Sequence, residues 1–187
     1  MSDDAPHPVL DDSVQADRIL KFWDVARVRA GRSAHGGAIA ETTGTMVPPQ
    51  AWAFGDGPEL ADELLRMVLQ GTKTATASLL WEYEDAEEPV PAKGDLSIVL
   101  DAEGEPRALI RTTAVDVVPL DQVTEDHAYS EGEGDRTLAT WRAEHERFWR
   151  RNLPEDRELT SSTPVVCERF EVLHPARPTG RDVGRHA

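Results

Sequence analysis

Gly71-Thr72-Lys73-Thr74-Ala75-Thr76-Ala77-Ser78 sets one lysine and four hydroxyls within eight residues, directly behind a well-marked helix. That helix is predicted over Pro58 to Gln70. Proline suits a first turn, where its missing N–H has no intrahelical partner to lose, and Glu59 and Asp62 sit where the helix dipole favours negative charge. Leu60, Leu64 and Val68 recur at i, i+4 and i+8, with Ala61 and Leu65 alongside, so one apolar face follows the 3.6-residue period. Gly71 takes the position just past the helix, where a left-handed conformation is cheap only for glycine. Lys73 therefore emerges at a helix C-terminus, at the entrance to the next element.

That element reads as a strand, Thr74 to Tyr83, rich in threonine and aromatic residues. Lys73 and Thr76 are three apart, which in an ideal strand puts them on opposite faces. For both to serve one site the chain must turn or bulge between them, and a helix-to-strand junction is where that is easiest. Trp81 and Tyr83 flank Glu82, so in a strand both rings face one side. They are either barrel core or a platform on which a base stacks, an interaction on the order of 1–3 kcal/mol that needs no basic charge.

Gly71-Thr72-Lys73-Thr74-Ala75-Thr76 resembles the G-x-K-T-x-T signature of the ASCH domain, a PUA-like β-barrel family associated with RNA and nucleosides. Three further blocks resemble the family in the same order: Lys93-Gly94-Asp95-Leu96, the acidic segment Leu120 to Asp135, and the terminal strand Val165-Val166-Cys167-Glu168-Arg169-Phe170. The resemblance covers about residues 52–174 and implies an α+β fold, a PUA-like small β-barrel with helices packed around it. In small bacterial members that act as amidohydrolases on acylated cytidine, the lysine and threonine of the signature work with a glutamate from an H-A-x-x-E block. His127-Ala128-Tyr129-Ser130-Glu131 matches that block. The resemblance thus implies a catalytic set of Thr76 as nucleophile, Lys73 as its base and Glu131 as acid, with neither cofactor nor metal. Thr74, Ser78, Trp81 and Tyr83 are the candidate ligand contacts.

The chain also departs from those minimal enzymes. It is longer, carries an extension from Arg32 to Gly57, and has Ser78-Leu79-Leu80-Trp81-Glu82-Tyr83 where they have an arginine-led polar segment. It looks closer to the larger ASCH subgroup, in which ribonuclease activity is another outcome. Hydrolysis of an acylcytidine amide, hydrolysis of an RNA phosphodiester, and a non-catalytic module that reads a modified base or RNA end all remain open at the level of sequence.

The 187 residues suffice for one domain with an extension. Hydrophobic residues at 39% and charged residues at 29% describe a globular chain. No run of eighteen apolar residues exists, so a membrane-spanning helix is not expected. The acidic start, Met1-Ser2-Asp3-Asp4, has no apolar run behind it, which argues against a secretory signal. Cys167 stands alone, so no internal disulfide is expected and a reducing cytoplasm is the natural setting. A formal charge of −15 opposes a long polyanion, whose binding rests on phosphate neutralisation. The partner that fits is a nucleoside or a short RNA; the oligomeric state is not legible.

Residues 1–12 read as a disordered N-terminus, 13–57 as a helical extension and long loop, 58–174 as the ASCH domain, and 175–187 as a flexible tail. Within the extension a helix is expected from Ser13 to Ala30, with Ile19, Leu20, Trp23, Val25, Ala26 and Val28 as its apolar positions. The connection from Arg32 to Gly57 is long enough to drape over the barrel or serve as a lid. Strands are expected at Leu96 to Leu100, Arg107 to Val118 and Val165 to Leu173, with helices at Asp121 to Ser130 and Thr137 to Asn152. On the last of these Leu138, Trp141, His145, Phe148 and Trp149 share the inner face.

The six histidines are scattered and show no metal-ligand spacing. Imidazole titrates near neutrality, so His127 and His145 are candidate acid–base groups, though on a short amphipathic helix such residues are more often packing or surface residues. Gly132-Glu133-Gly134-Asp135 lacks a following lysine and carries acids, so it reads as turn chemistry rather than a phosphate loop.

Overall fold

The computed structural model describes residues 12–33 and 47–175. The expectations for the N-terminal 1–11, for the middle of the long connection and for the tail beyond 175 lie outside the described residues. Among those described, five strands form one sheet: β1 (Ala51–Trp52), β2 (Ala75–Leu79), β3 (Leu96–Leu100), β4 (Pro106–Pro119) and β5 (Pro164–His174). Five helices accompany it: α1 (Asp12–Ser33), α2 (Pro58–Gln70), α3 (Leu80–Asp85), α4 (Glu125–Glu131) and α5 (Leu138–Arg151). The architecture is α+β.

The strand order is β1-β3-β4-β5-β2. β1 runs parallel to β3, and the remaining neighbours are antiparallel. The sheet is not closed, which corrects the expected barrel. Its edges are a two-residue strand and a five-residue strand that do not pair with each other. Closure needs backbone hydrogen bonds between the two edges. Instead, Trp52 at the end of β1, Ala53 and Phe54 just after it, and Thr76 to Ser78 of β2 line one shared cleft.

Consecutive residues of the central strands feed different cores, as the two-residue period of a strand dictates. Ile98 and Leu109 meet Trp23, Ala26 and Ala30 of α1 on one side. Val99 and Ile110 meet Leu64, Leu65 and Val68 of α2 on the other. A third cluster joins Trp141 and Trp149 of α5 to Leu79, Val165 and Cys167 at the β2–β5 end. The stripe that α1 buries runs through Ile19, Phe22, Trp23, Ala26 and Ala30, while Leu20, Val25 and Val28, expected as apolar positions of that helix, are exposed. β1 falls in the stretch read as a connection, so the sheet begins before residue 58.

The expected strand from Thr74 to Tyr83 is also corrected: it stops at Leu79, and α3 follows at once. The Leu79 N–H donates to Glu82 Oε2 at 3.0 Å, so a glutamate in the first helical turn satisfies the amide that a continuing strand would have bonded. Trp81 and Tyr83 then point to different sides of a helix rather than one side of a strand.

Candidate active site

The turn after α2 delivers Lys73. Gly71 adopts φ 76°, and its N–H donates to the Val68 carbonyl at 2.9 Å, closing the helix. The Thr72 and Lys73 N–H groups both donate to the Met67 carbonyl, at 2.9 and 3.1 Å. Lys73 precedes β2, which resolves the parity conflict with Thr76: the turn, not the strand, aims the lysine, and both residues line one cleft of about 690 Å³.

A second turn brings Glu131. Thr124 caps α4 by accepting from the His127 N–H at 3.2 Å, and Gly132 ends it at φ 78°. A Cβ on Gly132 would stand 2.5 Å from the Thr72 carbonyl oxygen. Glycine is therefore required twice, for the left-handed backbone and for the approach of this turn to the lysine turn. Thr74 fastens the two, its N–H donating to the Ser130 carbonyl at 2.8 Å and its hydroxyl to the same oxygen at 3.3 Å.

Lys73 and Glu131 are each 1% exposed, and they pair at 3.0 Å. Lys73 Nζ also meets Glu133 Oε1 at 2.6 Å and lies 5.3 Å from the Phe54 ring centroid. Glu131 is a hub of donors. Its Oε1 accepts from Trp141 Nε1 at 2.7 Å and from His127 Nε2 at 3.1 Å, and its Oε2 faces His145 Nε2 at 3.6 Å as well as Lys73. Burial alone would push the Glu131 carboxyl up, but the Lys73 and His145 charges and its hydrogen bonds hold it well below the usual glutamate range. Burial would lower Lys73, yet the two glutamates raise it. Lys73 is therefore an ammonium between carboxylates.

The charges around the pair decide what can enter. Asp56, Glu63, Glu82, Glu131, Glu133 and Glu144 line the cleft against Lys73, Arg147 and Arg151. Each of the three cations is already paired: Arg151 with Asp56 at 2.9 Å, Arg147 with Glu144, and Lys73 as above. Apolar walls come from Trp52, Phe54, Leu60, Leu64 and Met67. The Thr76 hydroxyl has no protein partner among the described residues.

A model of the ASCH domain family matches residues 50–174. The chain belongs to the ASCH domain family. Its fold is similar to that of a protein from Enterococcus faecalis V583, at 31% identity and a TM-score of 0.69 over 91% of this chain and 99% of that one. It is also similar to an ASCH domain from Lactobacillus crispatus JV V101, at 26% identity and a TM-score of 0.69 over 89% of this chain and 97% of that one. No curated protein matches the chain.

Within this ASCH domain, Lys73, Thr76, Ser78 and Glu131 all line the cleft. Thr74 instead joins the two turns that carry Lys73 and Glu131. Trp81 packs against the α5 cluster with the Arg157 guanidinium 5.6 Å from its ring centroid, and it is not in the cleft wall. Tyr83 lines a separate cavity of about 490 Å³ with Asp95 and Thr112. Sequence reasoning missed Glu133, read as turn chemistry, and Trp141, read only as core. The signal for the network was one helical turn long: His127 with Glu131, and Trp141 with His145, are each four apart and share a helix face. Cys167 is buried beside this network, and burial pushes its thiol up to about 12, which leaves it unreactive. Among the described residues no group of three or more His, Cys, Asp and Glu is arranged to hold a metal ion, and no helix is long and apolar enough to cross a membrane.

Proposed function

We propose that this ASCH domain is a hydrolase that cleaves the amide of a small, uncharged acylated nucleoside, with Thr76 as nucleophile and Lys73 as its base. The observation that carries this reading is that the cations in the cleft already face carboxylates, while the Thr76 hydroxyl lines the same cleft as the buried lysine and has no protein partner among the described residues. A phosphodiester would meet more carboxylates than cations, and each cation there already faces a carboxylate, which disfavours RNA as substrate. An uncharged acyl amide meets no such barrier, and the aromatic and aliphatic wall gives it apolar surface to bury.

The charge state of Lys73 constrains the chemistry. An ammonium has no lone pair, so Lys73 first passes a proton to Glu133 across their 2.6 Å contact. An uncharged substrate favours that transfer, because expelling water weakens the case for a separated ion pair. The free amine then takes the Thr76 proton as the hydroxyl oxygen attacks the acyl carbon. Glu131 stays ionised under its four donors and holds Lys73 in place rather than donating a proton.

The alternative of a non-catalytic module that stacks a base on Trp81 is less well supported, since that ring has the Arg157 guanidinium 5.6 Å from its centroid and lies outside the cleft. Incubation with N4-acylated cytidine tests the proposal against Lys73→Ala and Thr76→Ala. Free cytidine should accumulate with the unmodified protein alone, while Thr76→Ala still binds the substrate. Turnover that survives Lys73→Ala, or cleavage of short RNA with the nucleoside left intact, would overturn the assignment.

A further inference from the structure

His145 projects from α5 into the same cleft, 13% exposed. Its ring is held on three sides. It stacks on Trp141 at 4.2 Å between centroids with the planes 22° apart, and the edge contact with Trp149 is 5.1 Å. Its Nδ1 lies 3.0 Å from the Trp141 carbonyl oxygen, and its Nε2 lies 3.6 Å from Glu131 Oε2. A carbonyl oxygen only accepts, so Nδ1 carries a hydrogen. A neutral imidazole with its hydrogen on Nδ1 would turn a bare lone pair toward an ionised carboxylate, which repels it. Only the doubly protonated ring satisfies both neighbours. Two carboxylates of the network, on Glu131 and Glu133, then face two cations, on Lys73 and His145.

We propose that His145 is the general acid of the hydrolysis, delivering its Nε2 proton to the amine that leaves when the Thr76 ester forms. The assignment rests on the amide-hydrolase reading and completes it, because Glu131, ionised at the centre of four donors, has no proton to give. The step balances. Thr76 Oγ bonds to the acyl carbon and its proton goes to Lys73; the carbon–nitrogen bond breaks and the nitrogen takes the imidazolium proton. Neutral His145 then accepts a proton from the water that attacks the acyl–threonine ester. The departing Thr76 oxygen recovers its proton from Lys73, which recovers its own from Glu133. One amide and one water become one acid and one amine, and the site returns to its starting charges.

Burial by itself would lower the His145 value, and the Glu131 carboxylate outweighs that to raise it. The charged groups that act on the ring are Glu131 from α4, Glu133 from the following loop and Lys73 from the turn before β2, and His127 of α4 binds the same Glu131 carboxylate.

The test pairs two substrates with the same acyl group, an N4-acylated cytidine and an aryl ester whose phenolate leaves unaided. His145→Gln should lower kcat/KM for the amide by about 10²–10³-fold and for the ester by less than tenfold, since only the poor leaving group needs the acid. It should also remove the alkaline fall of the amide pH profile. Nitrogen-15 NMR of the full chain at pH 7 should show hydrogens on both His145 ring nitrogens. Equal losses on both substrates with an unchanged profile would make His145 a packing residue, and a neutral ring at pH 7 would overturn the proposal without reference to turnover. If the unmodified protein cleaves neither substrate while the ring is doubly protonated, the hydrolase reading itself fails and the acid role falls with it.

Discussion

At the scale of residues, the determining feature is a carboxylate taken out of water and given four donors. Glu131 is 1% exposed, and its nearest cation, Lys73, is 1% exposed too, so neither can exchange its partner for solvent. Breaking such a pair from one side leaves a buried charge uncompensated, which typically costs about 3–5 kcal/mol. Glu131→Gln keeps the shape and removes the charge, so denaturant unfolding should show a loss near the lower end of that range, since Glu133 still faces Lys73. A change under 1 kcal/mol would show that the pair is not buried as described. Under the proposed mechanism Thr76→Ser should keep measurable turnover and Thr76→Ala should lose it without a comparable loss of affinity, because the hydroxyl would make the bond and has no protein partner among the described residues to hold. Turnover by Thr76→Ala matching that of the unmodified protein would remove the nucleophile assignment.

At the scale of elements, the site is the contact of two turns. The turn after α2 and the turn after α4 meet backbone to backbone, with Thr74 bonded to the Ser130 carbonyl and Gly132 packed on the Thr72 carbonyl. Gly132→Ala introduces a methyl group 2.5 Å from that oxygen on a left-handed backbone, so the two turns must separate. Strain of this kind costs on the order of 1–3 kcal/mol. Beyond a lower melting temperature, the variant should lose turnover disproportionately, because Lys73 and Glu131 sit on opposite sides of the contact. Full activity in folded Gly132→Ala would mean that the approach of the turns is incidental. Gly134→Ala is the fitting comparison: its added Cβ meets only the Thr140 side chain, at 3.0 Å.

At the scale of the whole molecule, a formal charge of −15 and an acid-rich cleft act together. Affinity for an uncharged acylated nucleoside should change little between low and moderate salt, and a 5′-phosphate on the same nucleoside should weaken it. A steep loss of affinity with salt would reveal a phosphate-binding face instead. Stability should fall toward both ends of the pH scale for identifiable reasons. Glu131, depressed in the folded state, contributes stability above the ordinary glutamate value of about 4.3 that is lost as pH falls through its lower folded value. His145, raised in the folded state, contributes stability below about 6.5 that is lost as pH rises through its higher folded value. Unfolding followed across pH should therefore lose part of its alkaline decline in His145→Gln. An alkaline decline of the same size in that variant would rule His145 out as its source.

What the sequence determined by itself was local. The α2 helix, its glycine stop and the β3 and β5 strands follow from periods and caps that act within a few residues, and the structure keeps them. The family signature also carried Lys73, Thr76 and Glu131 to one cleft, although Lys73 and Glu131 are 58 positions apart in sequence. Tertiary structure alone decided the rest. Whether the sheet closes depends on whether its edges meet, and β1 and β2 belong to segments whose sequences carry no record of each other. The fate of Trp81 and Tyr83 turned on Glu82 reaching back to the Leu79 amide, which outweighed an alternating pattern. Glu133 read as one more acid in a turn until Lys73 stood 2.6 Å away. Periodicity records which face a residue takes; the charge and reactivity of a group depend on what another segment brings against that face, and that is fixed only when the chain packs.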